Sequence, residues 1–269
     1  MIRLILRASL LTLMLLIGLA TLFSLYRILP LGQRCWLRKI WSRLLLSACG
    51  VALEIRPGSH RISKTPMLVV MNHVSWLDIF VLNSVMPATF IAKSEIRQWP
   101  LVGWLLQGAD TLFIERSSRH AVRHVNHRII ERLNRGEHVA FFPESTTSDG
   151  SGVLPFHSSL FAMAVVRARQ DDGPRVVQPP TVQPAALRYF QGNQPSLIPA
   201  YIGEQTFMES LLQILSARGL KARLQLLDPM LPPGPEITRQ MLAQMAHTRI
   251  ASAVGALDDS VFLASALEA

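Results

Sequence analysis

The segment Met67-Leu68-Val69-Val70-Met71-Asn72-His73-Val74-Ser75-Trp76-Leu77-Asp78 changes character after its fifth residue. MLVVM has no polar position in either phase of a period-two pattern, the mark of a strand covered on both faces. A short polar break follows, and from Trp76 to Val85 apolar residues return at helical spacing. The segment therefore reads as strand, loop and helix.

Downstream the same alternation recurs. Thr89–Ala92 and Leu112–Ile114 are short apolar strands. Ala121–Asn134 carries Val122, Val125, Ile129, Ile130 and Leu133 at helical period and stops before Gly136. Val139–Phe142 is a strand and Ser158–Arg169 a helix; Val182–Tyr189 and Leu220–Leu227 are later strands, and Pro235–Val254 is a closing helix. Strands alternating with helices imply an α/β fold, a mixed, mostly parallel sheet flanked by helices.

Upstream the chain is of another kind. Ala8 to Tyr26 has no charged residue, and its 19 residues would span about 28 Å as a helix. That matches the hydrocarbon thickness of a bilayer, so a membrane helix is expected. A signal peptide is the rival reading, because Met1–Arg7 is basic and Gly18-Leu19-Ala20 could be cleaved. Arg34 to Ala48 sets Trp36, Leu37, Ile40, Trp41, Leu44 and Leu45 among Arg34, Arg38, Lys39 and Arg43. This suits an amphipathic helix in an anionic headgroup layer; the other readings are a core helix with a basic edge, or a helix that packs on the domain and touches lipid. Two parts are therefore expected, residues 1–50 as membrane elements and 51–269 as the α/β domain. More cations follow the apolar span than precede it, which places that domain on the cytoplasmic face.

Composition narrows the class. The chain has 269 residues, 27 Lys+Arg against 18 Asp+Glu, a net charge of +9, 49% hydrophobic and only 17% charged residues. Intrinsic disorder needs the opposite balance. With two cysteines, Cys35 and Cys49, there is no disulfide framework.

Three segments carry chemistry. On one continuous helix His73 and Asp78 would stand about 140° out of phase. With His73 in the strand-to-helix loop and Asp78 in the first helical turn, the imidazole can fold back onto the carboxylate and form a general base. The competing reading makes Asp78 a helix-start residue that satisfies backbone N–H groups, as Ser75-x-x-Asp78 suggests. The second segment, Phe141-Phe142-Pro143-Glu144-Ser145-Thr146-Thr147-Ser148-Asp149-Gly150, follows a strand with a carboxylate, hydroxyls and a glycine, which fits a polyol or phosphate-bearing ligand or an ordinary polar turn. The third is basic: Lys93 and Arg116 each follow a strand, where open α/β sheets place their sites, and could hold an anion or face solvent. His120, His124 and His127 share a helical face, but Arg119, Arg123 and Arg128 surround them, so no metal site is expected.

Taken in order, these segments resemble the lysophospholipid acyltransferase family, whose best-known member acylates 1-acylglycerol 3-phosphate. Asn72-His73 through Asp78 is similar to its N-H-x4-D block, and Gly108 with Phe113-Ile114-Glu115-Arg116 resembles G-x-x-F-I-x-R. Phe142-Pro143-Glu144-Ser145-Thr146 looks like F-P-E-G-T, and Val182-Gln183-Pro184-Ala185 looks like the proline-containing fourth block. Ala92-Lys93-Ser94-Glu95, Pro100 and Gly103 fit the intervening segment.

The resemblance implies a glycerol-3-phosphate acyltransferase-like fold. It implies His73 as base with Asp78 supporting it, and Lys93, Arg116, Glu144, Ser145 and Thr146 as substrate-binding residues. The donor is acyl-CoA or acyl carrier protein, with no further cofactor and no metal. The acceptor is a lysophospholipid in the membrane, first 1-acyl-sn-glycerol 3-phosphate. Two positions depart from the pattern: Ser145 replaces the usual Gly, and Thr147 stands where many members have Arg. Thr146-Thr147-Ser148-Asp149-Gly150 with Leu154-Pro155-Phe156 also resembles the branch that acylates lyso-ornithine lipid. A thioesterase or a non-catalytic membrane binder remains as a different class; no nucleic-acid motif is present.

Overall fold

The computed structural model describes residues 2–26, 28–57, 65–98, 102–114, 119–165, 180–231, 234, 236–257 and 263–264. In chain order the elements are helices α1 (Ile2–Ser24) and α2 (Leu31–Cys49), strands β1 (Val51–Ile55) and β2 (Met67–Met71), and helix α3 (Asp78–Val85). Next come β3 (Ala88–Lys93), α4 (Val102–Gly108), β4 (Leu112–Ile114), α5 (Arg119–Asn134) and β5 (His138–Phe141). The remainder is β6 (Thr181–Gln191), β7 (Gln194–Pro195), α6 (Phe207–Ser216), β8 (Leu220–Leu226), α7 (Arg239–Ala256) and β9 (Leu263–Ala264).

One sheet runs β4-β3-β5-β2-β6-β8-β1-β9, with β7 hairpinned onto β6. From β4 to β6 every pair is parallel; β8 lies antiparallel to β6, and β1 parallel to β8. β2 sits near the middle, and all five of its residues are buried. Its alternation explains why MLVVM has no polar phase. Met67, Val69 and Met71 join a cluster with Leu45, Leu46, Val81, Leu82 and Ile214 on one side. Leu68 and Val70 join Ile129, Leu133, Leu242, Ala246 and Ile250 on the other. Both faces are covered by helices, so both must be apolar.

Helix α1 docks along its length on α2, α4 and α6. The Arg7 guanidinium donates to Leu215 O at 2.9 Å and Ala217 O at 2.8 Å. Leu11 and Met14 are buried. At Gly18 a Cβ would lie 3.1 Å from the Trp41 indole, and Leu22 reaches Gly108. From Arg7 to Leu22 this seam covers about 22 Å. Ile5, Leu6, Leu10, Leu13, Leu16, Ile17 and Phe23 face outward. By length and composition α1 is long and apolar enough to cross a membrane. Helix α2 combines both expected characters: Leu45, Leu46 and Cys49 enter the core, while Trp36 is exposed. Arg38, however, is buried, bonded to Tyr26 Oη at 2.7 Å and 3.8 Å from Glu137.

Several boundaries move. Helix α3 begins at Asp78, not Trp76, and the closing helix begins at Arg239, where Thr238 accepts from Met241 N at 3.2 Å. The expected helix from Ser158 is a 3-10 turn, Ser158–Met163; residues 166–169 of that expectation lie outside the described residues. Helix α6 was not anticipated, although Thr206 and Glu209 form a complete capping box at its start.

Candidate active site

The site lies where β2, β3 and β5 end. Asn72 turns the chain away from the sheet: its side-chain amide donates to Leu187 O and accepts from Leu187 N, both at 2.8 Å. The side chain thus continues the β2–β6 ladder while the backbone leaves it. His73 follows, in the loop. Its Nδ1 lies 2.8 Å from Asp78 Oδ2. The same Oδ2 accepts from Val74 N at 2.7 Å and Ser75 N at 2.9 Å, so Asp78 both organises the loop and holds the imidazole. The two competing readings of this carboxylate describe one arrangement. Asp78 Oδ1 accepts from the Tyr189 hydroxyl at 2.8 Å.

The His73 ring lies flat on Phe142, centroids 3.9 Å apart and planes 7° from parallel. Phe142 in turn stacks on Phe90. Asp78 is fully buried, whereas the His73 side chain keeps 20% of its surface exposed. The hydrogen-bond pattern assigns the proton to Nδ1 and leaves the lone pair on Nε2. Nε2 has no hydrogen-bond partner among the described residues.

Glu144 supports the loop from the next strand. Its Oε1 accepts from His73 N at 2.6 Å and its Oε2 from Leu154 N at 2.9 Å. Burial pushes this carboxyl up to about 7, the two backbone N–H groups oppose the rise, and the Asp78 charge adds to it. The His73 carbonyl accepts from Ser148 N at 2.8 Å and Ser148 Oγ at 3.2 Å. Ser145 adopts φ +66°, the left-handed conformation its glycine counterpart would take without strain. Thr147, at the position where the family it resembles often has Arg, donates its hydroxyl to Tyr201 O, and Tyr201 N donates to Val74 O at 2.9 Å. Beside this loop an open cavity of about 570 Å³ is lined by Leu197, Ala200, Ile202, Glu204, Glu209 and Gln213.

The structure therefore gathers His73, Asp78 and Glu144. Thr146 is exposed at the loop tip, and Lys93 is exposed at the end of β3, two strands from β2. Arg116 lies outside the described residues, as do the side chains of His120 and His124; His127 pairs with Glu131 at 3.4 Å. Among the described residues no three His, Cys, Asp or Glu groups are placed to hold a metal. Tyr189 is a site residue that the sequence reading missed, and Ser148 was quoted only as part of the polar segment, without a role of its own. Tyr189 sits in an apolar strand where every signal reads as core.

An acyltransferase family model matches residues 54–188, from β1 to near the end of β6. A lyso-ornithine lipid O-acyltransferase of Pseudomonas aeruginosa is 37% identical over 236 residues, covering 87% of this chain and 86% of that protein. The chain belongs to the lysophospholipid acyltransferase family. A 1-acyl-sn-glycerol-3-phosphate acyltransferase of Neisseria meningitidis is 43% identical over 149 residues, 55% of this chain and 53% of its own. In fold, this acyltransferase is similar to the 1-acyl-sn-glycerophosphate acyltransferase PlsC of Thermotoga maritima, with TM-score 0.66 and 16% identity over 96% of this chain and 98% of that one. The expected mixed, mostly parallel sheet is the observed one. The enzyme transfers an acyl group to a lysophospholipid-type acceptor, a step of phospholipid biosynthesis.

Proposed function

We propose that His73 is the general base of this acyl transfer and that Asp78 orients it. The observation that carries the reading is the Nδ1–Oδ2 contact of 2.8 Å with a partly exposed ring. Nε2 takes the proton of the acceptor hydroxyl as its oxygen attacks the carbonyl carbon of an acyl thioester. The C–O ester bond forms and the C–S bond breaks. The thiolate leaves and recovers the proton from the imidazolium, which Asp78 stabilises meanwhile. The donor we propose is acyl-CoA or acyl carrier protein. Glu144, Ser145 and Thr146 shape the acceptor side, and Lys93 and Arg116 attract its acidic groups.

Our preferred acceptor is lyso-ornithine lipid. The relatives named for it match over most of their length, including a Rhodobacter capsulatus protein of which 90% is covered. The position where many members carry an Arg is filled by Thr147, whose hydroxyl is engaged with Tyr201 O. The second reading, 1-acyl-sn-glycerol 3-phosphate, is favoured by the higher identity of the Neisseria enzyme over its shorter match. We further propose that residues 1–50 attach the enzyme to the membrane, the outward face of α1 meeting lipid, with the domain of residues 51–269 on the cytoplasmic face.

The test is thiol release from acyl-CoA with and without each lysolipid. Release should require the acceptor and fall by about 10²–10⁴ in His73→Ala and in Asp78→Ala. Wild-type turnover in a folded His73→Ala protein would end the proposal. Release without acceptor would make the enzyme a thioesterase.

A further inference from the structure

We infer that Tyr189 is a positioning residue for the His73–Asp78 pair: its hydroxyl fixes the Asp78 carboxylate so that Oδ2 is presented to the imidazole. The inference rests on the general-base reading of His73. It goes beyond the four sequence blocks, because Tyr189 lies one residue past the segment that the family model matches.

The geometry divides the carboxylate into two roles. Oδ2 is crowded by three donors, the imidazole and the amides of Val74 and Ser75. Oδ1 faces the interior, and the phenol is the donor it receives there, at 2.8 Å. Tyr189 is itself buried, on β6 opposite Ala222 of β8. A phenylalanine would fill the same space but would leave a buried carboxylate oxygen without its donor. Tyr189 thus grips the loop through Asp78.

Two positions of one strand thus hold the whole block. Leu187 binds the side chain of Asn72 before the histidine, and Tyr189 binds Asp78 after it. The loop between them has its two ends anchored on β6, two residues apart. The titratable groups around the phenol are Asp78 itself and Cys49 of α2, while Glu144 from the adjoining loop acts on Asp78. Burial first, then the Asp78 charge, hold the phenol well above its ordinary range, so it stays a donor across the working pH. Burial likewise pushes the Cys49 thiol up to about 12, so it adds no charge there.

Removing the hydroxyl has two consequences. The carboxylate loses an orienting bond, and the negative charge that Tyr189 drew toward Oδ1 returns toward His73. Turnover should fall because the base is less well aimed. The imidazolium should become more stable, moving the acid limb of the rate profile to higher pH. A tyrosine that merely packs would change stability and neither of these.

The experiment compares the full-length wild-type enzyme, Tyr189→Phe and His73→Ala in detergent micelles, with acyl-CoA and lysolipid. For Tyr189→Phe we expect kcat to drop about tenfold, the worth of one hydrogen bond to a charged group, with both KM values within twofold. The acid limb should move upward. Because the variant could lose too much stability, a second protein carries 3-fluorotyrosine at 189, which keeps the hydroxyl and makes it a stronger donor. Its acid limb should move downward. If His73→Ala is inactive while both Tyr189 proteins keep the wild-type kcat per folded molecule and the wild-type pH profile, the positioning role is overturned and the base stands. If His73→Ala retains turnover, the base reading fails and the positioning role with it.

Discussion

His73 is held on three sides: by Asp78 at Nδ1, by Phe142 against one ring face, and by Glu144 and Ser148 through its own backbone. Of these holds only Asp78 could be read from the sequence. Placing the pair on one helix was geometrically excluded, which forced the histidine into the loop. Phe142 and Tyr189 escaped because apolar and aromatic residues in strands say only that they are buried. At Glu144 a pH signature follows. The folded protein holds this carboxyl near 7 against an ordinary 4.5, so folding favours its protonated form. The contribution is complete below pH 4.5 and disappears as pH rises through about 7. The stability difference between wild type and Glu144→Gln should therefore shrink over that window and level off above it. The full swing is on the order of 3 kcal/mol, readable from thermal melts in detergent at a series of pH values. A difference that stays constant with pH would mean Glu144 does not carry the shift.

At the scale of elements, the buried parallel strands were legible because their apolar runs had no polar phase. The direction of β8 was not, since an apolar run carries no arrow; the connection from β6, which holds β7 and α6, is long enough for either direction, and β8 pairs antiparallel. The basic character of α2 was also misleading in part. Arg38 looked like a headgroup contact, yet it meets Glu137, a partner 99 positions away that helical spacing cannot reveal. The site loops show what such distant bonds achieve. Amides of His73, Val74, Ser75, Ser148, Leu154 and Tyr201 all donate to oxygens of neighbouring segments. Hydrogen–deuterium exchange should find these loop amides protected to a degree comparable with β2, although they belong to no helix or strand. Exchange as fast as that of exposed turns would show the lacing to be transient.

At the scale of the molecule, the three helices that pack on α1 also carry exposed apolar side chains: Trp36 on α2, Trp104 on α4, and Met208 and Leu212 on α6. Single exposed apolar residues are ordinary, but Met208 and Leu212 stand one turn apart on α6, so they share a face that can contact lipid. Met208→Ser with Leu212→Ser should lower partition onto anionic lipid vesicles at least tenfold, given about 1.5–3 kcal/mol for each large side chain taken out of water. The melting temperature should stay within a few degrees. Unchanged partition would remove α6 from that surface. The seam between α1 and the domain has a further bearing on how this enzyme can be altered. With Arg7 closing the end of α6 and Gly18 seated against Trp41, the leading helix is a structural member of the fold, not a detachable tether. Grafting a different hydrophobic helix in its place would strip those neighbours of their partners, so the outer apolar face of this helix and its inner packing cannot be engineered one at a time.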